Sequence, residues 1–419
     1  MRIAEPGPNR KNQCECAPVS DAPVYDTIVV GGGGIGCAAA YHLAKDGGKV
    51  LLLEQFEIGH TRGSSHGGSR IIRYTHDTTA YAQQMPQTFA LWRQLERESG
   101  EALLQMSGGL YMGPVDQPFL VGAQAALAAL DFPFRVYTPG ELAAVYPQFR
   151  LPAAWIALEQ AHTGMLAASR CVATLARQAV EHGATLYTHT RVTALTPGAA
   201  ADGGVTVTTA GPGGTRTFTA AQVVICAGPW ASRFLSEWLP QPPTLRVTHQ
   251  QVAYYPAPEP AAYAPGRFPV FLCAGENFIY GLPAWERAGA IKVALEQEAR
   301  TIDPEQPDRP IDTHLLESLN QAVAYYLPAI DPTPVHVDTC LYTETPTRDF
   351  IIDRLPGCPQ AVIAAGFSGR GFKHTIAIGR LLADMIQSGP GPVQSDFWLD
   401  AYRLDNHLLQ PHAAGSNLL

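Results

Sequence analysis

Two groups of residues far apart in the chain have the types and spacing to do chemistry together. Near the start, Gly31-Gly32-Gly33-Gly34-Ile35-Gly36 sets Gly31, Gly33 and Gly36 in a G-x-G-x-x-G pattern. Where side chains are missing, the backbone can approach a pyrophosphate at the positive end of a following helix. Glu54 closes the next apolar run, Val50-Leu51-Leu52-Leu53, where a carboxylate can bind a ribose hydroxyl. Near the other end, Cys340-Leu341-Tyr342-Thr343 is followed by Gly366-Phe367-Ser368-Gly369-Arg370-Gly371-Phe372-Lys373. The first group can hold a dinucleotide and the second its reactive ring, which points to a flavoenzyme. The glycine pattern by itself does not separate flavin from nicotinamide.

A third group, His60 to Arg73, is polar and glycine-rich and carries Arg62, Arg70 and Arg73. The planar guanidinium fork donates hydrogen bonds in pairs, which suits carboxylate or phosphate. Composition alone fits a solvated loop with surface charges equally well.

These groups need elements to position them. Thr27-Ile28-Val29-Val30 reads as a buried strand ending in glycines, Cys37 to Lys45 as a helix, and Val50 to Leu53 as a second strand, the start of a βαβ unit. Helical patterns run from about Tyr81 to Glu98, Pro118 to Leu130 and Ser169 to His182. Strands follow near Thr185 to Tyr187, Val205 to Val207 and Val223 to Cys226, where Gly228-Pro229 makes a turn. From Gln241 to Thr339 the pattern is strands with one long helix near Leu315 to Tyr326. Beyond Cys340 it returns to an apolar strand (Ala361 to Ala365), a glycine turn and a helix (Thr375 to Ile386).

Dinucleotide-type elements thus fall in three separated pieces. The expectation is an α/β protein: a Rossmann-type domain from 25–85, 160–240 and 340–400, interleaved with a substrate domain from 86–159 and 241–339 on a mixed, largely antiparallel sheet. Residues 1–24 and 401–419 read as tails.

Composition supports this and excludes other classes. The 419 residues are 46% hydrophobic and only 16% charged, so the chain can bury more than one core. A net charge of -8 disfavours a nucleic-acid partner, which would need a basic surface. No run approaches the roughly eighteen apolar residues of a membrane span, and no signal-peptide core precedes Tyr25. Eight scattered cysteines show no metal-ligand spacing, so no metal is expected and a reducing cytoplasm fits best.

Several pieces, in order, carry a family resemblance: Ser64-Ser65-His66-Gly67 through Arg70-Ile71-Ile72-Arg73, Ala227-Gly228-Pro229-Trp230, Tyr280-Gly281-Leu282-Pro283, Cys340-Leu341-Tyr342-Thr343 and Gly366 to Lys373. From about Tyr25 to Leu382 the chain resembles the monomeric sarcosine oxidase family of amine oxidases, which includes pipecolate oxidase and N-methyltryptophan oxidase. The resemblance implies FAD attached through the Cys340 sulfur, with the turn glycines Gly228, Gly366, Gly369 and Gly371 against the cofactor. It assigns Lys292 to the reaction with oxygen, where a fixed positive charge stabilises developing superoxide. Arg70 and His66 would lie by the flavin, Arg73 and Lys373 would hold a substrate carboxylate, and Tyr280 and Tyr342 would line the cavity.

The implied activity is oxidation of a small secondary or N-methyl amino acid to an imine, with oxygen reduced to peroxide, by a monomer. Read without the family, Cys340 is an ordinary buried thiol and Lys292 an edge lysine. Two departures alter the charge beside the site. Glu296 stands where family members commonly have histidine four residues after the lysine, and Arg370 stands for histidine in Ser-Gly-His-Gly. Three other readings stay open: a dehydrogenase using another electron acceptor, a flavin-binding subunit without turnover, and an NAD-dependent dehydrogenase.

Overall fold

The computed structural model describes residues 24–198, 203–276, 278–296, 299–306, 308–389 and 391–408, and in it the apolar runs become the interior strands of two eight-stranded sheets. Val24–Val30 is hydrogen-bonded in parallel to Val50–Leu53 on one side and to the long strand Gly214–Ile225 on the other. Ile28, Val29, Leu51, Leu52, Val223 and Val224 are all buried there, because helices or further chain cover both faces of this parallel region. Each such side chain removed from water stabilises the fold by about 1.5–3 kcal/mol. Thr185–Tyr187 extends the sheet beyond Val50–Leu53, and Cys358–Ala365 joins Gly214–Ile225 in parallel through Val223 to Ile225.

On one face lie the helices Gly34–Lys45, Ala168–Glu181 and Thr375–Gln387. Gly379 lets the last of these close on the first, since a Cβ there would sit 2.5 Å from the Ala38 Cβ. The first helix begins at Gly34, three residues earlier than the apolar spacing predicts, so Gly34, Ile35 and Gly36 already belong to its first turn.

The second sheet runs in the order His336–Glu344, Arg246–Pro256, Ala290–Leu295, Phe278–Arg287, Val270–Ala274, Gly109–Pro114, Trp155–Gln160 and Arg135–Tyr137. Its neighbours are antiparallel except Val270–Ala274 with Gly109–Pro114. Side chains alternate across it, as the pleat requires. Ile291, Val293, Ala253 and Tyr255 pack with the helix Thr313–Tyr326, whose Asp312 caps two backbone N–H groups. Lys292, Ala294, Val252 and Tyr254 face the other way. That second face is where the site forms.

The mixed parallel and antiparallel sheets agree with the expected fold class. Two local readings change. The helix expected from Tyr81 to Glu98 is two helices, Thr79–Ala82 and Met85–Ser99, the second carrying Pro86 in its first turn, where proline is tolerated. The polar segment ending at Arg73 is not all loop: Arg70–Arg73 is a strand, paired with Thr163–Leu166 in a three-stranded sheet. Of the expected tails, residues 1–23 and 409–419 lie outside the described residues, whereas Tyr402, Leu404 and His407 are buried.

Candidate active site

The turn after the first strand is shaped by what glycine lacks. Gly31 has φ +102°, and a Cβ there would lie 2.3 Å from the Cys226 carbonyl oxygen; one on Gly36 would lie 1.8 Å from the Gly31 oxygen. Those two glycines are demanded by the packing of strand, turn and helix. Gly33 is different, because a Cβ there would meet only Ser65 Oγ, at 3.4 Å, so the protein itself leaves the space open. Glu54 is buried; its carboxylate accepts from Gly32 N at 2.6 Å and Phe56 N at 2.8 Å. Ser65 Oγ accepts from Gly34 N at the helix start.

A cleft with about 1440 Å³ of empty space, its open mouth included, runs from this turn between Glu54 and Gly228 to Tyr342 and the turn Gly366 to Gly371. Its run from the glycine turn, past Glu54, to the Tyr342 strand suits a long dinucleotide. Gly228, at φ +52°, has nothing within 4 Å of a would-be Cβ and is open to the cleft. The distal glycines are set by the protein: Cβ atoms on Gly366, Gly369 and Gly371 would meet Thr345, the Tyr342 ring and Phe367 at 2.2–2.5 Å. Between them Ser368 holds φ +46°, a costly conformation fixed by Ser368 N donating to Thr343 O and Thr345 N donating to Ser368 Oγ. The turn is thereby stitched to the strand that carries Cys340 and Tyr342.

His66, Arg70 and Tyr342 also line a second cavity, about 490 Å³, together with Lys292, Cys340, Tyr280 and Asp338. Strand register explains the assembly. Lys292 is paired with Tyr254 and Leu282, Tyr280 with Ala294, and Cys340 with Gln250, all presented on the sheet's second face.

Lys292 Nζ donates to Glu286 Oε2 at 3.1 Å and Ser69 O at 3.2 Å. Burial and then Arg70 lower its pKa, while Glu286 opposes them. Glu286 also accepts from Gly68 N, Ser69 Oγ and Tyr254 OH, at 2.6, 2.6 and 2.7 Å. Burial would raise its pKa, but Lys292 and these donors hold it at about 2. The carboxylate thus ties the lysine, the tyrosine and the loop before Arg70 into one unit. Sequence reading missed it; the sole signal is its place on the hairpin that precedes Lys292.

Arg70 gives its hydrogen bonds to carbonyls of Ser64, His66 and Ser69, which leaves its charge uncancelled toward the cavity. His66 is neutral near pH 7, burial and Arg70 lowering its pKa to about 4. The Cys340 thiol is buried and pushed up by that burial, while Arg70, Lys292 and Arg309 pull it down.

The Tyr280 and Tyr342 hydroxyls are 3.3 Å apart, whereas Arg73 and Lys373 line neither this cavity nor the cleft. Three residues after Arg70 in one strand, Arg73 points to the opposite face. It is 4% exposed, lies over the rings of Tyr111 and Phe119 at 5.6 and 5.1 Å, and its Nη1 has no hydrogen-bond partner. Lys373 is 6% exposed and donates to Arg370 O at 2.9 Å. Burial, then Arg73 and Arg370, push its pKa well below the usual lysine value. Among the described residues, neither cation has a carboxylate within 4.0 Å. Charges are rarely buried without a close partner, and the opposing field on Lys373 comes from Glu296, beyond 4.0 Å.

The sequence profile of the FAD dependent oxidoreductase family matches residues 26–385. The chain belongs to that family. It is similar to human peroxisomal sarcosine oxidase, 35% identical over 370 residues, covering 86% of this chain and 92% of the relative. Monomeric sarcosine oxidase of Streptomyces avermitilis is 32% identical over 88% of this chain and 95% of its own. Among solved structures, the amino acid oxidase NikD of nikkomycin biosynthesis superposes with a TM-score of 0.76 at 26% identity, over 93% of this chain and 98% of NikD. This FAD-dependent amine oxidoreductase therefore has its glycine turn, open at Gly33 and Gly228, where the family's cofactor fits.

Proposed function

We propose that the enzyme oxidises a small secondary or N-methyl amino acid, of the sarcosine, pipecolate or proline type, to an imine with formation of hydrogen peroxide. One observation carries this reading: Arg73 and Lys373 are buried close enough to repel each other, with no carboxylate within 4.0 Å of either among the described residues. The substrate carboxylate completes that pair, and the two tyrosines form the wall against which the amine is turned.

Glu54, Gly33 and Gly228 line the cleft that would hold FAD, and the Cys340 sulfur, in the adjoining cavity that shares His66, Arg70 and Tyr342, would tether its ring. Bound there, the flavin supplies the two-electron acceptor that side chains lack. Lys292, fixed by Glu286 and Ser69, keeps a positive charge ready for oxygen as it gains electrons. Neutral His66 and the carbonyl-bound Arg70 shape the same wall without adding an anion. A monomer in a reducing compartment fits the similarity to monomeric relatives and the six described cysteines, all unpaired and buried. No helix among the described residues is long and apolar enough to cross a membrane.

The test is an anaerobic screen with sarcosine, other N-methyl amino acids, pipecolate and proline. Bleaching of the flavin absorbance followed by peroxide on admitting air supports the proposal. Bleaching by none of them refutes it, and bleaching without peroxide replaces the oxidase with a dehydrogenase.

A further inference from the structure

Beside the carboxylate anchor stands an acid that the reading above leaves unused. Glu296 follows Ala290–Leu295, and its backbone N–H donates to Phe278 O at 2.7 Å, continuing the ladder. Four residues past Lys292, it shares that residue's face, roughly 13 Å along the strand. Tyr280, paired with Ala294, stands between the two. Its side chain is only 11% exposed, and its nearest cation is Arg348, with Nη2 3.6 Å from Oε1. Arg348 is itself held at φ +66° in the turn after the Cys340 strand, a strained position for an arginine.

Every neighbouring element contributes to its field. Arg73 acts from its own strand, Arg370 and Lys373 from the last glycine turn, and Glu344 and Arg348 from the strand end and turn behind. Tyr280 and Tyr342 flank it, both phenols pushed up by burial and so kept neutral.

The chemistry needs a group in this place. An alkyl ammonium has a pKa of about 10 and enters at neutral pH carrying its proton. Hydride cannot leave the adjacent carbon until nitrogen has a free electron pair. Most other carboxylates nearby are already committed: Glu286 to Lys292, Asp338 to His336 at 2.7 Å, and Glu344 to Arg246 at 2.7 Å.

We propose that Glu296 accepts the substrate's ammonium proton: the N–H bond breaks, an O–H bond forms on the carboxyl, and the electron pair stays on nitrogen. No electrons are transferred in this step. It rests on the amino-acid oxidase reading. Burial, with Glu344, raises the Glu296 pKa to about 7 against the pull of Arg348, Arg370 and Arg73, close to where an acceptor works best. Above that pH the free site holds a carboxylate ready for the proton. Below it the acid is already protonated and the step stops.

The experiment follows the second-order rate of flavin bleaching, without oxygen, at amino-acid concentrations well below the dissociation constant, from pH 6 to 10. In the wild type the rate rises through about pH 7 and then levels off. In Glu296→Gln it is at least about tenfold slower at pH 7 and climbs about tenfold per pH unit into the alkaline range. Matching profiles in the two proteins overturn the proposal. If the variant does not fold, the wild-type profile decides: a plateau from about pH 7 supports the step, and a continuous rise to pH 10 overturns it.

Calorimetry with methylthioacetate, which has the carboxylate but no amine, gives a readout free of turnover. Its affinity falls about tenfold between pH 6 and 8 as Glu296 ionises beside the anchor, and Glu296→Gln loses that fall. An equal fall in both proteins counts against Glu296. Failure of every secondary amino acid to bleach the wild type would instead sink the oxidase reading, which the calorimetric result does not depend on.

Discussion

Lys373→Met removes one charge from the anchor and little else. Methionine keeps the length and the apolar stem, so the buried volume around a residue 6% exposed is preserved. The bound carboxylate then loses a charge-assisted hydrogen bond, worth about 1.5–3 kcal/mol, and sits in a dry site with half its countercharge. Truncating one member of a buried charge pair costs about 2–5 kcal/mol. A loss of about 2–4 kcal/mol, at 1.4 kcal/mol per decade, raises KM roughly 30- to 700-fold. Because the carboxylate is held equally before and during reaction, kcat falls much less. In the free protein the change relieves repulsion from Arg73 and Arg370, so the melting temperature holds or rises. Steady-state kinetics beside a thermal melt and a flavin spectrum measure all three. An unchanged KM refutes the anchor, and a lost fold or lost flavin assigns Lys373 a structural role instead.

Cys340→Ser is expected to bind flavin that acid denaturation releases, whereas the wild type retains it on the precipitated chain; flavin extractable from the wild type contradicts the tether. Gly31→Ala and Gly33→Ala should separate fold from cofactor, since one added methyl strikes the Cys226 carbonyl and the other only fills the cleft. The first should lower the melting temperature of the flavin-free protein, and the second should leave it unchanged while weakening FAD retention. Glu286 is held at about 2, below its unfolded value, so its stabilisation is complete above about pH 4.5 and is lost as pH falls toward 2. The stability gap between wild type and Glu286→Gln, read by denaturant titration, should therefore shrink from pH 5 to pH 2.5; a constant gap contradicts the ion pair with Lys292.

What the sequence made legible was local. The glycine spacing after Val30 and the apolar run before Glu54 lie within one βαβ unit, whose geometry follows from short-range pattern. The partners of the charged groups were not legible, because register across strands decides them. Glu286 meets Lys292 only because their hairpin folds back on itself, and meets Ser69 only because a loop far earlier in the chain is laid over that hairpin. Nothing in the spacing of Arg70 and Arg73 separates their environments until Arg70–Arg73 is known to be a strand, which turns one toward the cofactor cleft and the other toward Lys373. Burial is equally silent in sequence. The family resemblance marks Glu296 as a departure beside the site, but its burial shows only once Glu344, Arg348 and Arg370 are packed around it.

The most direct measurement is the absorbance spectrum of the purified holoenzyme, taken without oxygen, before and after addition of sarcosine or pipecolate. The expected result is an oxidised-flavin band that one of these amino acids removes and that air restores with an equivalent of peroxide. A protein that stays colourless after incubation with FAD, or a band that no secondary amino acid bleaches, would contradict it.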